Sequence, residues 1–160
     1  FPDGTIGIAV ELGRPCYGAR LYNAEKIAMA VAAEGVEFEP CNPVTTMMSD
    51  PKTGKFKDEL LNEKVLSAIV EMTVPYEKAE TVLRTIYRTA ETLDCFLSLD
   101  ICSKADKDGN LPHMEIVKKC GAPSTERPTW ALAAPCTSRN KKRRNSICLT
   151  PCTEWARRKT

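Results

Sequence analysis

The sequence has a single histidine, His113, and lacks the short signatures that mark the commonest enzyme classes. It contains no phosphate-binding GxxxxGK(S/T), no dinucleotide-binding GxGxxG, no nucleophile-elbow GxSxG and no zinc-binding HExxH. Nothing in the sequence therefore pairs a nucleophile with a base, and we expect a non-enzymatic protein. His113 lies where a predicted turn leads into a short helix, and we expect it at the surface.

Long apolar runs are also missing. The longest spans Ile27–Ala33, whereas a membrane helix needs roughly 20 apolar residues. No Asn-x-Ser/Thr acceptor for N-glycosylation occurs, so one mark of secretion is absent. We expect a cytoplasmic protein that does not insert into membranes.

Charge is unevenly distributed, although the whole chain carries only +2. Residues 1–120 contain 14 Lys and Arg against 19 Asp and Glu, a net charge of −5; residues 121–160 contain 9 against 2, a net charge of +7. We predict a folded domain over 1–120 and a basic tail over 121–160. The tail's charge suits nucleic acid, an acidic protein or the domain itself. Its basic patch comprises Arg139, Lys141, Lys142, Arg143 and Arg144.

Apolar periodicity predicts two strand–helix–strand units in the domain. The predicted strands span 5–12, 36–41, 65–74 and 95–102, and the predicted helices span 24–34, capped by Asn23, and 75–93. This order predicts an α+β fold, the ferredoxin-like plait (βαβ-βαβ), in which both helices cover one face of an antiparallel sheet. A small α/β fold with a parallel sheet is the alternative.

Smaller elements are predicted between and after these units. Turn signals fill residues 42–64, with a short helix over 58–64, and Asp106–Asn110 is typical of a turn before a short helix over 112–119. Alternation in the third strand places Leu66 on its buried face with Ala68, Val70 and Met72.

In the plait, carboxylates gather on the sheet face opposite the helices. So many like charges on one face require a cation nearby, which a metal, a basic partner or the tail would supply. A solvated face is the alternative, since antiparallel sheets often leave one face wet. The residues placed there are Glu11, Glu37, Glu39, Glu71 and Asp100, with Cys41 and Cys102.

Eight cysteines allow a metal site in the tail. Cys120, Cys136, Cys148 and Cys152 have the spacing C-x15-C-x11-C-x3-C, and four thiolates hold zinc or an iron–sulfur cluster. Paired C-x2-C knuckles are absent, so disulfides and free thiols stay open. We expect the other four cysteines, which are Cys16, Cys41, Cys95 and Cys102, to be packing residues.

The loop Gly13–Gly18 (GRPCYG) connects a strand to a helix and contains Arg14, Cys16 and Tyr17. Helix N-termini attract anions and lower thiol pKa values. We predict an anion- or ligand-binding loop or a reactive Cys16, with an ordinary connection as the alternative.

These features predict a non-enzymatic accessory or regulatory protein that binds a protein partner. Its tail would be organised by zinc or an iron–sulfur cluster and would respond to redox state. One alternative is a nucleic-acid-binding module that uses the basic tail. The other is a small enzyme with a reactive Cys16.

Overall fold

A computed structural model describes residues 2–14 and 17–120, together with the backbone of 147–151. The fold is of mixed α+β type. A 3-10 turn, Asp58–Leu60, follows the fifth strand. The elements in chain order are β1 (Thr5–Leu12), β2 (Ala19–Arg20), α1 (Leu21–Ala32), β3 (Glu37–Phe38), α2 (Pro43–Thr46), β4 (Met48–Asp50), β5 (Lys55–Phe56), β6 (Lys64–Val65), β7 (Ala68–Pro75), α3 (Tyr76–Ala90), β8 (Leu97–Ser103), α4 (His113–Lys119) and β9 (Ile147–Pro151).

The main sheet has the strand order β3-β7-β1-β8-β9. The central strand β1 pairs antiparallel with β7 on one side and with β8 on the other, and β3 pairs antiparallel with β7. At the far edge, β9 pairs parallel with β8. The four strands of the predicted domain therefore form an antiparallel sheet, and the alternative of a parallel sheet is wrong for them.

The strict alternation of β1 produces a sheet with two different faces. Ile6, Ile8, Val10 and Leu12 are buried against the helix layer, where α1 and α3 pack on each other and on β7. The predicted bounds of β1 are confirmed. We call the opposite face of the sheet the open face.

The first helix begins earlier than predicted. Asn23 is not its N-cap: α1 starts at Leu21 after Arg20, and Asn23 is fully buried inside the helix. The first helical N–H groups need no capping side chain, because those of Leu21 and Tyr22 donate to backbone carbonyls of residues 63 and 61.

The third predicted strand divides into two. Lys64–Val65 leaves the main sheet as β6 and pairs with β2, and β7 starts only at Ala68. Leu66 lies in the bend between them and is 80% exposed, so its predicted burial is wrong. Ala68, Val70 and Met72 are buried as predicted.

The segment 42–64 is more ordered than its turn signals suggest. Strands β4 and β5 form a hairpin that packs on α1. Phe56 is fully buried, and its N–H donates to the Glu25 carboxylate of α1 at 2.9 Å. At the hairpin turn, Gly54 lies so close to α1 that an added Cβ would be 2.4 Å from the backbone of Ala28.

The C-terminal part of the domain contains the predicted turn and short helix. The Asp106 carboxylate accepts the N–H groups of Asp108 and Asn110 at 2.9 and 2.7 Å. Helix α4 follows and contacts α3 and β8. In the described part of the chain, no helix is both long enough and apolar enough to cross a membrane.

Candidate functional site

Strand register brings three carboxylates into one row across the open face. Ala9 of β1 lies opposite Glu71 of β7 and opposite Asp100 of β8. Glu39 extends the row, because its N–H donates to the Glu71 carbonyl at 3.0 Å. Neighbouring strands are about 4.8 Å apart, so these carboxylates share a narrow strip of surface.

The flanking rows add two further acids. Glu37 lies opposite Thr73, which pairs with Gly7, and Glu11 lies opposite Ile69. The open face therefore contains the five carboxylates predicted for it. The centre of the face is built from small residues, of which Gly7 is buried and Ala9 is half-buried.

Two of the carboxylates are held in place by neighbours. Glu71 accepts a hydrogen bond from Asn42 Nδ2 at 2.6 Å. Glu11 accepts one from Ser67 Oγ at 2.7 Å and lies 3.5 Å from the Arg14 guanidinium. These contacts fix the two side chains before any ligand arrives, which lowers the entropy cost of binding.

The other two glutamates lie nearer the sheet edge. Glu37 is exposed on the two-residue strand β3, and Glu39 accepts the Cys41 N–H at 3.2 Å. Within residues 2–14 and 17–120, Glu37, Glu39 and Glu71 form no ion pair. Their charge is thus available to a partner.

The structure places only one of the four predicted metal-ligating cysteines. Cys120 is half-buried beside the core, and this burial raises the pKa of its thiol. Cys148 contributes backbone to β9, while its side chain, Cys136 and Cys152 lie outside the described residues. The described side chains include no group of three metal-binding residues. The four-cysteine site stays a prediction, and so does the basic patch Arg139–Arg144, which also lies outside the described part.

The predicted anion loop is described in part, because Cys16 lies outside the described residues. Gly18 N–H donates to the Gly13 carbonyl at 3.1 Å and closes the loop. Arg14 and Tyr17 are both exposed. The first two amides of α1 already have acceptors, so an anion here would bind side chains rather than those N–H groups.

His113 is not the surface residue that we predicted. It is 2% exposed, and its Nδ1 lies 2.7 Å from Ser103 Oγ of β8. Burial lowers the pKa of its imidazole. A signal was present in the sequence, because His113 lies three and four residues before Ile116 and Val117, which share its buried helix face.

Two cysteine predictions have different outcomes. Cys95 packs against the core as predicted, and burial raises the pKa of its thiol to about 11. Cys41 is exposed at the end of β3, so its predicted packing role is wrong. Strand β3 already ends at Phe38, and Cys41 lies in the turn that follows.

Sequence reasoning missed a polar cluster that joins α1 to the loop after α3. The Asp94 carboxylate accepts hydrogen bonds from the Tyr22 hydroxyl and, at 2.6 Å, from Asn23 Nδ2. The Tyr22 hydrogen bond is the main reason that the pKa of Asp94 is lowered. Asn23 and Asp94 are 71 residues apart in the sequence, so no local pattern indicates their contact.

Comparison with known proteins gives no match to a family model, to a curated protein or to a solved structure.

Proposed function

We propose that this chain is a non-enzymatic accessory or regulatory protein whose open face binds a basic segment of a protein partner. The observation that carries the proposal is the row formed by Glu39, Glu71 and Asp100, with Ala9 in its middle. Basic side chains laid along this row would meet a carboxylate on either side of the central strand.

Electrostatics supports this choice of partner. Glu39 and Glu71 lie in facing positions of the sheet, where like charges repel each other. A lysine or arginine that reaches Glu39 and Glu71 would replace the repulsion with charge-assisted hydrogen bonds. Complementary charge of this kind raises the association rate and selects for basic partners.

The strand order supports our further proposal that the fold is the ferredoxin-like plait. In β3-β7-β1-β8, each of the helices α1 and α3 connects two strands that have one other strand between them. This is the arrangement expected when two βαβ units interleave in one antiparallel sheet.

The tail and the location complete the proposal. We expect Cys120, at the end of α4, to be the first ligand of zinc or an iron–sulfur cluster completed by Cys136, Cys148 and Cys152. We expect a cytoplasmic protein, which is consistent with the free thiols of Cys41, Cys95 and Cys120. Nucleic-acid binding by the basic patch and chemistry at Cys16 remain the alternative predictions.

Binding to the open face is tested by fluorescence anisotropy with a labelled peptide of lysine, arginine and serine. The double variant Glu37→Gln/Glu39→Gln removes two carboxylates from the edge of the open face. The matched control, Glu59→Gln/Glu91→Gln, removes two exposed carboxylates outside the sheet. We expect the first variant to bind the peptide about tenfold more weakly, and the control to bind within about twofold of the native chain.

Equal weakening in both variants would show that the peptide responds to net charge alone, and it would overturn the proposal. A further variant, Arg143→Gln/Arg144→Gln, tests whether the tail competes with the peptide. Tighter peptide binding by this variant would show that the chain's own basic patch occupies the face when no partner is present.

A further inference from the structure

Two large apolar side chains project into solvent from segments whose backbones lie close together. Tyr17 is 74% exposed and Leu66 is 80% exposed. Tyr17 precedes Gly18, and an added Cβ at Gly18 would lie 2.3 Å from the Val65 carbonyl oxygen and 3.4 Å from Leu66 Cα. The backbone at Gly18, directly after Tyr17, thus packs against that of Val65 and Leu66.

Cations surround this apolar pair. Arg20 of β2 lies directly opposite Lys64 of β6, and both side chains are exposed. Like charges in facing positions destabilise a strand pair. The side chain of Arg14, in the Gly13–Gly18 loop that also contains Tyr17, is 68% exposed.

Neighbouring acids compensate these cations only in part. Arg14 lies 3.5 Å from Glu11, whereas the Arg20 guanidinium donates to the Asn62 backbone carbonyl. Lys64 forms no ion pair with a described residue, although exposed Glu63 precedes it in the chain. Among residues 2–14 and 17–120, the paired strands β2 and β6 therefore hold the facing cations Arg20 and Lys64 without a bridging carboxylate.

We propose that these side chains form a second docking surface, which binds an acidic peptide segment that carries apolar side chains. The apolar groups of the ligand would cover Tyr17 and Leu66, and its carboxylates would bridge the facing cations. We call this surface the cationic apex; its members are Arg14, Tyr17, Arg20, Lys64 and Leu66.

The combination of groups favours a peptide over a nucleic acid. A single strand of nucleic acid binds through phosphates and through bases stacked on aromatic rings. The apex offers one aromatic ring, and the more exposed of its two apolar groups is the aliphatic side chain of Leu66. Burial of the leucine side chain under an apolar group of the ligand is favourable, whereas leucine has no ring on which a base could stack.

The apex meets the open face at the Arg14–Glu11 ion pair, but the variants that test either surface leave both residues unchanged, so the two proposals can fail independently. The probe is a fluorescein-labelled peptide of glutamate and phenylalanine, titrated with the full chain at low and high salt. We expect saturable binding that Tyr17→Ser/Leu66→Ser and Arg20→Gln/Lys64→Gln each weaken by roughly tenfold. Binding should also weaken as salt rises. The matched controls are Met29→Ser, an exposed apolar residue on α1, and Lys52→Gln, an exposed lysine in the β4–β5 turn.

Four results with the acidic peptides would overturn the proposal. The first two are no binding to the native chain at low salt, and equal binding by the native chain and the two double variants. The other two are equal weakening in the control variants, and tight binding of a peptide of glutamate alone that Tyr17→Ser/Leu66→Ser leaves unchanged. Preferential binding of a single-stranded oligonucleotide through the same residues would also overturn it, because the ligand would then be a nucleic acid. Circular dichroism of each variant verifies that the fold is retained.

Discussion

At the scale of single residues, His113 makes the folded state sensitive to pH. Its Nδ1 lies against Ser103 Oγ, while its buried Nε2 has no hydrogen-bond partner in the described structure. Protonation of the ring would bury a cation whose Nε2–H has no acceptor among the described residues, which is costly. Burial accordingly lowers the pKa of His113 in the folded chain.

A lowered folded-state pKa means that the unfolded chain binds the proton more tightly. The stability that depends on neutral His113 is complete above the ordinary histidine pKa of about 6.5. It is lost as the pH falls through that value toward the lower folded-state pKa. We expect the free energy of unfolding of the native chain to fall in this window more steeply than that of His113→Gln, as measured by urea denaturation.

Both chains keep the same carboxylates, so the difference between their pH profiles isolates the imidazole. Parallel profiles would show that His113 titrates alike in the folded and unfolded chains, and they would contradict its burial.

Some single residues were predictable and others were not. Ile6, Ile8 and Val10 follow from alternation within one strand, because a period of two needs no knowledge of other elements. Asn23 was misplaced, because its environment depends on Asp94, which lies 71 residues away. A capping role is local, whereas a buried hydrogen bond of this kind depends on the tertiary fold.

At the scale of elements, the β4–β5 hairpin is fastened to α1 by close backbone packing. Gly54 has φ +72°, and an added Cβ would lie 2.4 to 2.7 Å from backbone atoms of Ala28 and Met29. Glycine is required there both for the positive φ and for the approach of the two backbones.

We expect Gly54→Ala to lower the free energy of unfolding by roughly 2–4 kcal/mol, because backbone strain and overpacking add. Gly109→Ala is the matched control. Gly109 also has a positive φ, +81°, but nothing lies within 4 Å of an added Cβ, so this variant should lose only about 1 kcal/mol. Urea denaturation measures the free energy of unfolding of both variants. Equal losses in the two variants would contradict close packing of the hairpin on α1.

The long elements were the predictable ones. Helix α3 repeats its apolar positions over a full buried face, and its predicted span of 75–93 contains the observed Tyr76–Ala90. The two-residue strands β2 and β6 were missed, because a pair so short carries no periodicity. Their pairing drew Leu66 out of the predicted strand and exposed it.

At the scale of the whole molecule, the domain presents two surfaces of opposite character. The open face is acidic with a small-residue centre, and the cationic apex is basic with exposed apolar groups. The charge difference between 1–120 and 121–160 suggested an acidic domain, and alternation located the acids on one face. Arg14 and Tyr17 of the apex belong to the loop that was predicted to bind an anion or ligand. The addition of Leu66 could not be predicted, because it depends on the contact between the Gly18 and Leu66 backbones.

The most direct test of the central claim is amide chemical-shift mapping by NMR while the lysine, arginine and serine peptide is added to the full chain. We predict that the largest shifts cluster on the open face, at Gly7, Ala9, Glu39, Glu71 and Asp100, and diminish as salt rises. Shifts confined to the outer surface of α1 and α3, or the absence of shifts at low salt, would contradict the account.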